Sequence, residues 1–209
     1  MDFTIPDNFH CLDNIVHSKI DFDKEAELFS NVINKSSKEN DIQQYIKNNK
    51  KWFIPASLFK DYDFGHHSAY LTSEQALGAE YRADYMLLGQ NSLGYHLVLV
   101  EFENANVDYV LKTSNCESEY VRKGLTQIRD WMRWMDNNRQ YFFDSCGISQ
   151  IGKSIPSWGI NYCLVVSRRE RMSERANQLR RQSQQEIHRL RIVTYDRLVD
   201  NTKKLTNGF

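Results

Sequence analysis

Three acidic residues near the middle of the sequence, Asp84, Glu101 and Glu103, have types and spacing that favour divalent-cation chemistry. Glu101 and Glu103 follow the apolar run 97–100, which is typical of a strand buried on both faces. Side chains two residues apart on a strand share one face, so these carboxylates are predicted to point the same way. Converging carboxylates repel one another, and Mg²⁺ or Mn²⁺ relieves the repulsion because hard cations prefer oxygen ligands. The alternative is a strand that surfaces after Val100 and leaves both glutamates solvated.

The position of Asp84 depends on the hairpin that joins its strand to the next. We predict strands over residues 79–88 and 95–103, separated by the turn-forming segment 89–94. A hairpin symmetric about Asn91 and Ser92 places Asp84 diagonally across from Glu101, on the same face of the sheet. A slip of one residue would move Asp84 to the opposite face.

The remaining elements follow from helical periodicity, apolar runs and turn residues. The sequence predicts helices over 22–50 (interrupted at 36–39), 117–138, 170–188 and 196–205, and strands over 160–166 and 190–195. A short strand after Pro55 and a loop over 61–75 complete the chain, and Asp196 is the predicted N-cap of the last helix. This order predicts a mixed α/β sandwich. Residues 1–20 are predicted to form an N-terminal arm and residues 21–209 a single domain.

The overall composition limits the classes of partner. Lys plus Arg and Asp plus Glu both number 27, so the net charge is zero and any surface for nucleic acid must be local. No apolar run approaches the ~20 residues of a membrane span, so no membrane partner is expected. The start lacks a secretion signal and the four cysteines form no CxxC pair, which predicts a cytoplasmic protein with reduced thiols.

Basic residues concentrate after the predicted strand 160–166. The candidate nucleic-acid contacts are Arg168, Arg169, Arg171 and Arg175, because arginine forks pair well with phosphate oxygens. Arg171 and Arg175 are four residues apart and are predicted to share a helix face. The alternative is a solvated helix whose arginines are balanced by nearby glutamates.

Histidine and tryptophan pairs offer two weaker candidates. His66 and His67, with Asp61 and Asp63, form either a second metal site or a solvated polar loop. Trp131 and Trp134 lie one helical turn apart, a spacing that is more typical of core packing than of base stacking.

Taken together, several segments resemble the PD-(D/E)xK nuclease core and, more narrowly, the nuclease domain of the Shedu (SduA) anti-phage family. The two central strands carry the resemblance, through Tyr81-Arg82-Ala83-Asp84 and Leu97-Val98-Leu99-Val100-Glu101-Phe102-Glu103. Segments 39–53, 123–131 and 192–198 resemble the family's leading helix, the helix behind the active strands, and the closing strand and helix. The likeness covers residues 38–205 and implies a restriction-endonuclease-like mixed sheet flanked by helices.

The resemblance also implies roles for individual residues. Asp84 and Glu101 correspond to metal ligands, Glu39 to a helical acid that completes the cluster, and Gln127 to a helix residue that faces it. Position 103 departs from the pattern, because the superfamily usually has lysine there. A lysine offsets the charge that develops on the phosphate, whereas Glu103 is able to act as a general base or as a further metal ligand.

The function implied is a Mg²⁺- or Mn²⁺-dependent endodeoxyribonuclease that serves anti-phage defence, with DNA as its partner. One competing hypothesis is a catalytically silent module of the same fold that binds nucleic acid or protein. Another is a nuclease directed at RNA. Assembly into a homo-oligomer stays open.

Overall fold

A six-stranded sheet forms the centre of the computed structural model, which describes residues 4–13, 15 and 19–208. The strands lie in chain order: β1 (His10–Cys11), β2 (Ser68–Leu77), β3 (Tyr81–Asn91), β4 (Gly94–Phe102), β5 (Ile160–Val165) and β6 (Leu190–Val193). Neighbours from β1 to β4 are antiparallel, whereas β4–β5 and β5–β6 are parallel. His10 and Cys11 of the predicted arm therefore belong to the sheet, and the arm's boundary at residue 20 stays a prediction.

Helices cover both faces of the sheet. They are α1 (Phe22–Lys35), α2 (Glu39–Asn48), α3 (Phe53–Ala56), α4 (Glu119–Ser145), α5 (Ser149–Ser154), α6 (Glu174–Glu186) and α7 (Tyr195–Lys203). Side chains of α4, α5 and α6 pack in one apolar core, and those of α1, α2, α3 and α7 pack in the other. The predicted α/β fold, a mixed sheet flanked by helices, is confirmed. Within the described ranges, no helix is long and apolar enough to cross a membrane.

The central strand β4 is buried on both faces, as its apolar run predicts. Leu97 and Leu99 lie in the core beneath α4, while Val98 and Val100 lie in the opposite core. The burial continues past the apolar run, because Glu101 is only 3% exposed and Glu103 is 0% exposed. The alternative in which the strand surfaces after Val100 and solvates both glutamates is therefore wrong.

Two predictions between α2 and β3 are wrong. The apolar residues around Pro55 form the helix α3 and a 3₁₀ turn over Ser57–Asp61, not a strand. A short apolar run does not distinguish a strand from a buried helix, and proline is tolerated in a first helical turn. Most of the predicted loop 61–75 is the strand β2, which pairs with β1 and β3. Its many polar side chains gave no strand signal, and pairing with β1, which is distant in sequence, and with the following strand β3 orders it.

The ends of α6 and α7 also differ from prediction. The helix expected to start at residue 170 begins at Glu174, because Ser173 Oγ accepts the Ala176 N–H at 3.2 Å and caps it. Arg171 lies before this helix in a 3₁₀ turn, so it does not share a helix face with Arg175. The N-cap of α7 is Thr194 and not Asp196.

Asp196 instead anchors the segment that follows β5. Its carboxylate accepts hydrogen bonds from Arg168 Nε at 3.1 Å and Nη2 at 2.9 Å, and from the Arg169 backbone N–H at 2.6 Å. Burial alone would raise the pKa of Asp196, but the hydrogen bonds from Arg168 and Arg169 outweigh burial and lower the pKa below its ordinary value of 3.8.

We therefore expect Asp196→Asn to destabilise the fold in a pH-dependent manner. A lowered folded-state pKa gives stability that is present above about pH 4 and is lost as the pH falls through the folded-state value. At pH 7 the free energy of unfolding should fall by roughly 1–3 kcal/mol, and at pH 3 by much less. Urea denaturation at both pH values measures the difference. Asp200→Asn, which removes an exposed partner of Arg169, is the matched control. Equal losses at both pH values would contradict the expectation.

The long helix α4 covers the face of the sheet that carries Glu103. It was predicted over 117–138 and begins after Ser118, then continues beyond a kink at Asn138 to Ser145. Trp131 and Met135 are buried in the core, as predicted. The non-helical backbone at Asn138 marks the point where the predicted helix ends and a second segment continues it.

Candidate active site

The β3–β4 hairpin brings Asp84 beside Glu101. Strand β3 extends to Asn91 and pairs with Gly94, so the turn is centred on Ser92 and Leu93, one residue later than predicted. The ladder ends at the pair Tyr85–Val100. Continuing this register by one residue places Asp84 directly opposite Glu101, not diagonally across from it. The two strands no longer pair beyond this point.

The side chain of Asp84 fills the opening at the end of the ladder. Its Oδ2 accepts the Phe102 backbone N–H at 2.7 Å, and the Gln43 side chain donates a second hydrogen bond. On the other side of β3, the ladder with β2 skips Glu74, whose φ of +53° is left-handed. Burial raises the pKa of Asp84 to about 6, although the two hydrogen bonds oppose that rise. Asp84 is therefore fixed in place, with one carboxylate oxygen held by β4.

The first turn of α2 supplies a second acid. Glu39 Oε1 accepts a hydrogen bond from Gln43 Nε2 at 2.9 Å, so Gln43 joins the carboxylates of Glu39 and Asp84. Burial, followed by the charges of Asp84 and Glu103, raises the pKa of Glu39 to about 7. The sequence prediction missed Gln43. Its position four residues after Glu39, on the same helix face, was the available signal.

Glu101 and Glu103 complete a cluster of four acids. Burial and then the charges of Asp84, Glu103 and Glu39 raise the pKa of Glu101 to about 10. Burial also raises the pKa of Glu103, against the opposing effect of Lys123. Glu101 Oε2 and Glu103 Oε2 are buried and have no hydrogen-bond partner among the described residues. Buried carboxylate oxygens without partners are costly, so this cluster is incomplete as it stands.

Helix α4 brings a lysine to the same place. Lys123 Nζ lies 2.8 Å from Glu103 Oε1 and 3.9 Å from Glu39 Oε2. Gly124 allows the helix to approach this closely, because a Cβ there would lie 2.5 Å from Leu164 Cδ1 and 3.1 Å from Glu103 Cγ. The sequence prediction gave Lys123 no role. The signal was its position four residues before Gln127, on the helix expected to face the acids.

Gln127 lies one turn further along α4, at the border of the cluster. It lines a surface groove together with Tyr81, Arg82, Arg122 and Lys123. Among the described residues, no hydrogen bond joins the Gln127 amide to the four acids. The contact that was expected of Gln127, an amide hydrogen-bonded to the carboxylates, is made by Gln43 instead.

The donor chemistry of the cluster fits a divalent cation, although its present geometry does not enclose one. Within the part of the chain that the structure describes, no three His, Cys, Asp or Glu side chains are arranged to hold a metal. Two oxygens are already engaged, since Asp84 Oδ2 accepts the Phe102 N–H and Glu103 Oε1 contacts Lys123. The unpartnered oxygens of Glu101 and Glu103 are the hard donors that Mg²⁺ and Mn²⁺ prefer.

The four arginines considered for nucleic-acid contact do not form one surface. Arg168 is buried, and the other three lie in two different surface hollows. Arg169 borders a cavity of about 450 Å³ that Arg180, Arg191 and Arg197 also line. Arg168 pairs with Asp196, and Arg169 pairs with Asp200. Arg171 lies 3.2 Å from Asp108, and Arg175 donates a hydrogen bond to the Asn115 carbonyl at 3.2 Å. These contacts indicate structural roles for several of them.

The histidine pair lies at the surface, and the tryptophan pair packs in and against the core. His66 and His67 are exposed and pack against each other in the loop before β2, while Asp61 contacts Asn201, Arg191 and Arg197. Trp131 is fully buried in the core, and Trp134 packs edge-on against two aromatic rings. The core-packing interpretation of the tryptophans is confirmed.

Comparison with known proteins identifies the family. No curated protein matches the sequence. Among solved structures, the restriction endonuclease FokI bound to DNA aligns at 11% identity with a TM-score of 0.39; the alignment covers 91% of this chain and 31% of that one. Residues 36–199 match the family model described as "Shedu protein SduA, C-terminal". This match spans most of the chain and includes all four acids of the cluster, so the chain belongs to the Shedu SduA C-terminal family.

Proposed function

We propose that this domain is a Mg²⁺- or Mn²⁺-dependent endodeoxyribonuclease that hydrolyses phosphodiester bonds in DNA, in the service of anti-phage defence. The observation that carries the proposal is the convergence of Glu39, Asp84, Glu101 and Glu103 in one cluster, in which Glu101 and Glu103 are buried and Glu39 and Asp84 are partly buried. Membership of the Shedu family supports it. A protein gains no stability from four acids brought together, whereas bound cations offset their repulsion.

Each acid has a distinct part in the proposed reaction. A bound divalent cation would neutralise negative charge on the phosphate and on the leaving oxygen. Asp84 and Glu101 would hold that cation. Glu39, which Gln43 keeps in position, would complete the cluster of four acids. Glu103 would accept a proton from the attacking water through Oε2, the oxygen that is free of Lys123. As the water oxygen bonds to phosphorus, the bond from phosphorus to the leaving oxygen breaks, and solvent protonates that oxygen.

Two surface grooves lead to the cluster and offer a path for DNA. One, of about 450 Å³, is lined by Glu39 and Glu103 together with Lys38 and Tyr120. The other, of about 620 Å³, lies beside it and includes Arg82 and Arg122. Lys123 borders both grooves. Basic side chains on either side of an acidic centre are suited to hold the backbone phosphates that flank a scissile bond.

Cleavage assays with a charge-neutral variant test the function. The wild-type protein should nick or cut plasmid and linear DNA in Mg²⁺ or Mn²⁺, and EDTA should stop the reaction. Asp84→Asn should be inactive, because it keeps an oxygen for the Phe102 N–H but loses the ligand charge. Absence of cleavage by the wild type under every ion condition, with DNA binding retained, would favour the silent binding module instead. Preferential cleavage of single-stranded RNA would favour the RNA-directed alternative.

A further inference from the structure

We propose that Lys123 of α4 supplies the catalytic positive charge that the superfamily usually places on the strand, at the position occupied here by Glu103. This inference rests on the proposed nuclease function and names a further catalytic residue for it. Here the lysine lies on α4 and the acid at the end of β4, and the two are in contact across the interface. The charge therefore reaches the reacting phosphate from the helix and not from the strand.

The first support is the position of the ammonium group. Nζ lies 2.8 Å from Glu103 Oε1, so the charge sits within one contact of the side chain that replaces the usual lysine. Glu39 Oε2, at 3.9 Å, bounds it on the other side. The Glu103 side chain is 1% exposed, whereas that of Lys123 is 59% exposed. Lys123 thus contacts the buried carboxylate of Glu103 and also borders the open grooves from which a phosphate would approach.

The second support is the charge balance of the cluster. Among the described side chains, Lys123 is the one cation that acts on Glu39, Asp84, Glu101 and Glu103. Hydrolysis adds negative charge to a phosphate beside these acids, and a fixed ammonium group there stabilises that charge. Its strand-borne counterpart is absent, since residue 103 is itself an acid. Removing Lys123 therefore removes the cation that acts on all four acids.

The third support is local packing that holds the lysine in place. The absence of a side chain at Gly124 allows α4 to lie against Leu164 and Glu103, which sets the height of the neighbouring Lys123 above β4. The backbone of Glu103 is also fixed, because its N–H donates to the Val165 carbonyl at 2.8 Å and its carbonyl accepts the Tyr195 hydroxyl at 2.7 Å. A flexible surface lysine would need no such arrangement.

The decisive experiment compares five proteins: wild type, Lys123→Met, Lys123→Arg, Lys123→Glu, and the exchange Glu103→Lys with Lys123→Glu. We expect Lys123→Met to lower the single-turnover cleavage rate by about 10²-fold at saturating Mn²⁺. Lys123→Arg should retain part of the rate. The double exchange should recover at least about tenfold relative to Lys123→Glu alone, because it returns a lysine to the strand and places beside it a carboxylate at residue 123 that can accept the proton in place of Glu103. Lys24→Met, on the opposite face of the sheet, is the control for loss of an exposed lysine.

Two binding measurements, of Mn²⁺ affinity and of DNA affinity, separate a catalytic role of Lys123 from a structural one. Mn²⁺ affinity, from the shift in Tm, should be equal or tighter in Lys123→Met, because a competing cation is lost. DNA affinity measured in Ca²⁺ should change by less than about tenfold, since one phosphate contact is removed. Wild-type cleavage rates in Lys123→Met would overturn the proposal while leaving the nuclease function intact. A rate loss fully explained by lost Mn²⁺ binding, or by unfolding, would also overturn it. An inactive wild type would refute the proposed function itself.

Discussion

Replacing Glu101 by glutamine is expected to abolish DNA cleavage and, at the same time, to stabilise the metal-free protein. Glu101 is 3% exposed, and burial together with three neighbouring acids raises its pKa to about 10. The folded protein therefore loses stability by keeping this carboxyl group. With a pKa of about 10 this carboxyl group is protonated in the folded protein at pH 7, whereas it is ionised in the unfolded chain, so folding must take up a proton. Glutamine is neutral in both states and avoids this cost, so the free energy of unfolding without metal should rise by roughly 1–3 kcal/mol at pH 7.

The same variant should lose its response to metal. Binding to the native state stabilises the wild type by mass action, so its Tm should rise with Mn²⁺, and that of Glu101→Gln should rise much less. Cleavage should fall by roughly 10²-fold or more. Melting curves with Mn²⁺ and with EDTA, alongside plasmid cleavage, measure both effects. Glu27→Gln, an exposed acid on α1, is the matched control. Equal Mn²⁺ shifts in the two proteins would mean that the ion binds elsewhere.

Replacing Glu103 by glutamine should separate cleavage from binding. The change removes the proposed proton acceptor and the anion that holds Lys123 at 2.8 Å, so cleavage should fall by ~10²-fold or more. DNA binding should persist or improve, because one negative charge near the phosphate is gone. A gel-shift assay in Ca²⁺ and a cleavage assay in Mg²⁺ measure the two properties on the same preparation.

The outcome also tests whether the domain is a silent module. A silent module would bind DNA in both forms and cut it in neither. If wild type and Glu103→Gln cleave at the same rate, Glu103 has no part in the chemistry, and the roles of Asp84 and Glu101 are unaffected. Glu103→Lys alone adds a further comparison, since it places two lysines beside the three remaining acids. Its Mn²⁺ affinity should fall, because repulsion between cations then opposes metal binding.

The nuclease activity, its metal, the preference for DNA and the anti-phage role are all proposed, whereas membership of the Shedu family is established by the match over residues 36–199. Residue 103 is a glutamate in contact with Lys123 at 2.8 Å. The sequence prediction did not contain this ion pair, on which the proposed role of Lys123 rests.

Local pattern determined the elements nearest to the site. The apolar run 97–100 identified a strand buried on both faces, and the two-residue spacing placed Glu101 and Glu103 together. The helical periodicity around Trp131 identified α4, and the order of elements identified the α/β fold. Each of these features follows from the spacing of apolar side chains along one helix or strand that packs on a core. The sequence of that element alone therefore predicts it.

Tertiary structure decided everything that depends on contacts between distant segments. Strand β2 has a polar sequence and is ordered by β1 and β3, and Asp196 became an anchor for Arg168 instead of a helix cap. The centre of the hairpin lies one residue later than predicted, which changes the strand pairing by two residues and moves Asp84 from a diagonal position to the place opposite Glu101. Register of this kind depends on the energies of the whole sheet and not on the turn alone.

The sequence by itself therefore pointed to the acids of the candidate site, and the tertiary structure decided what surrounds them. Gln43 and Lys123 reach the cluster from helices that lie far from β4 in sequence. Their roles depend on how closely α2 and α4 approach the strand ends, which small residues such as Gly124 control. Burial and charge pairing act through distance in space, and spacing along the chain specifies that distance only within one helix or strand.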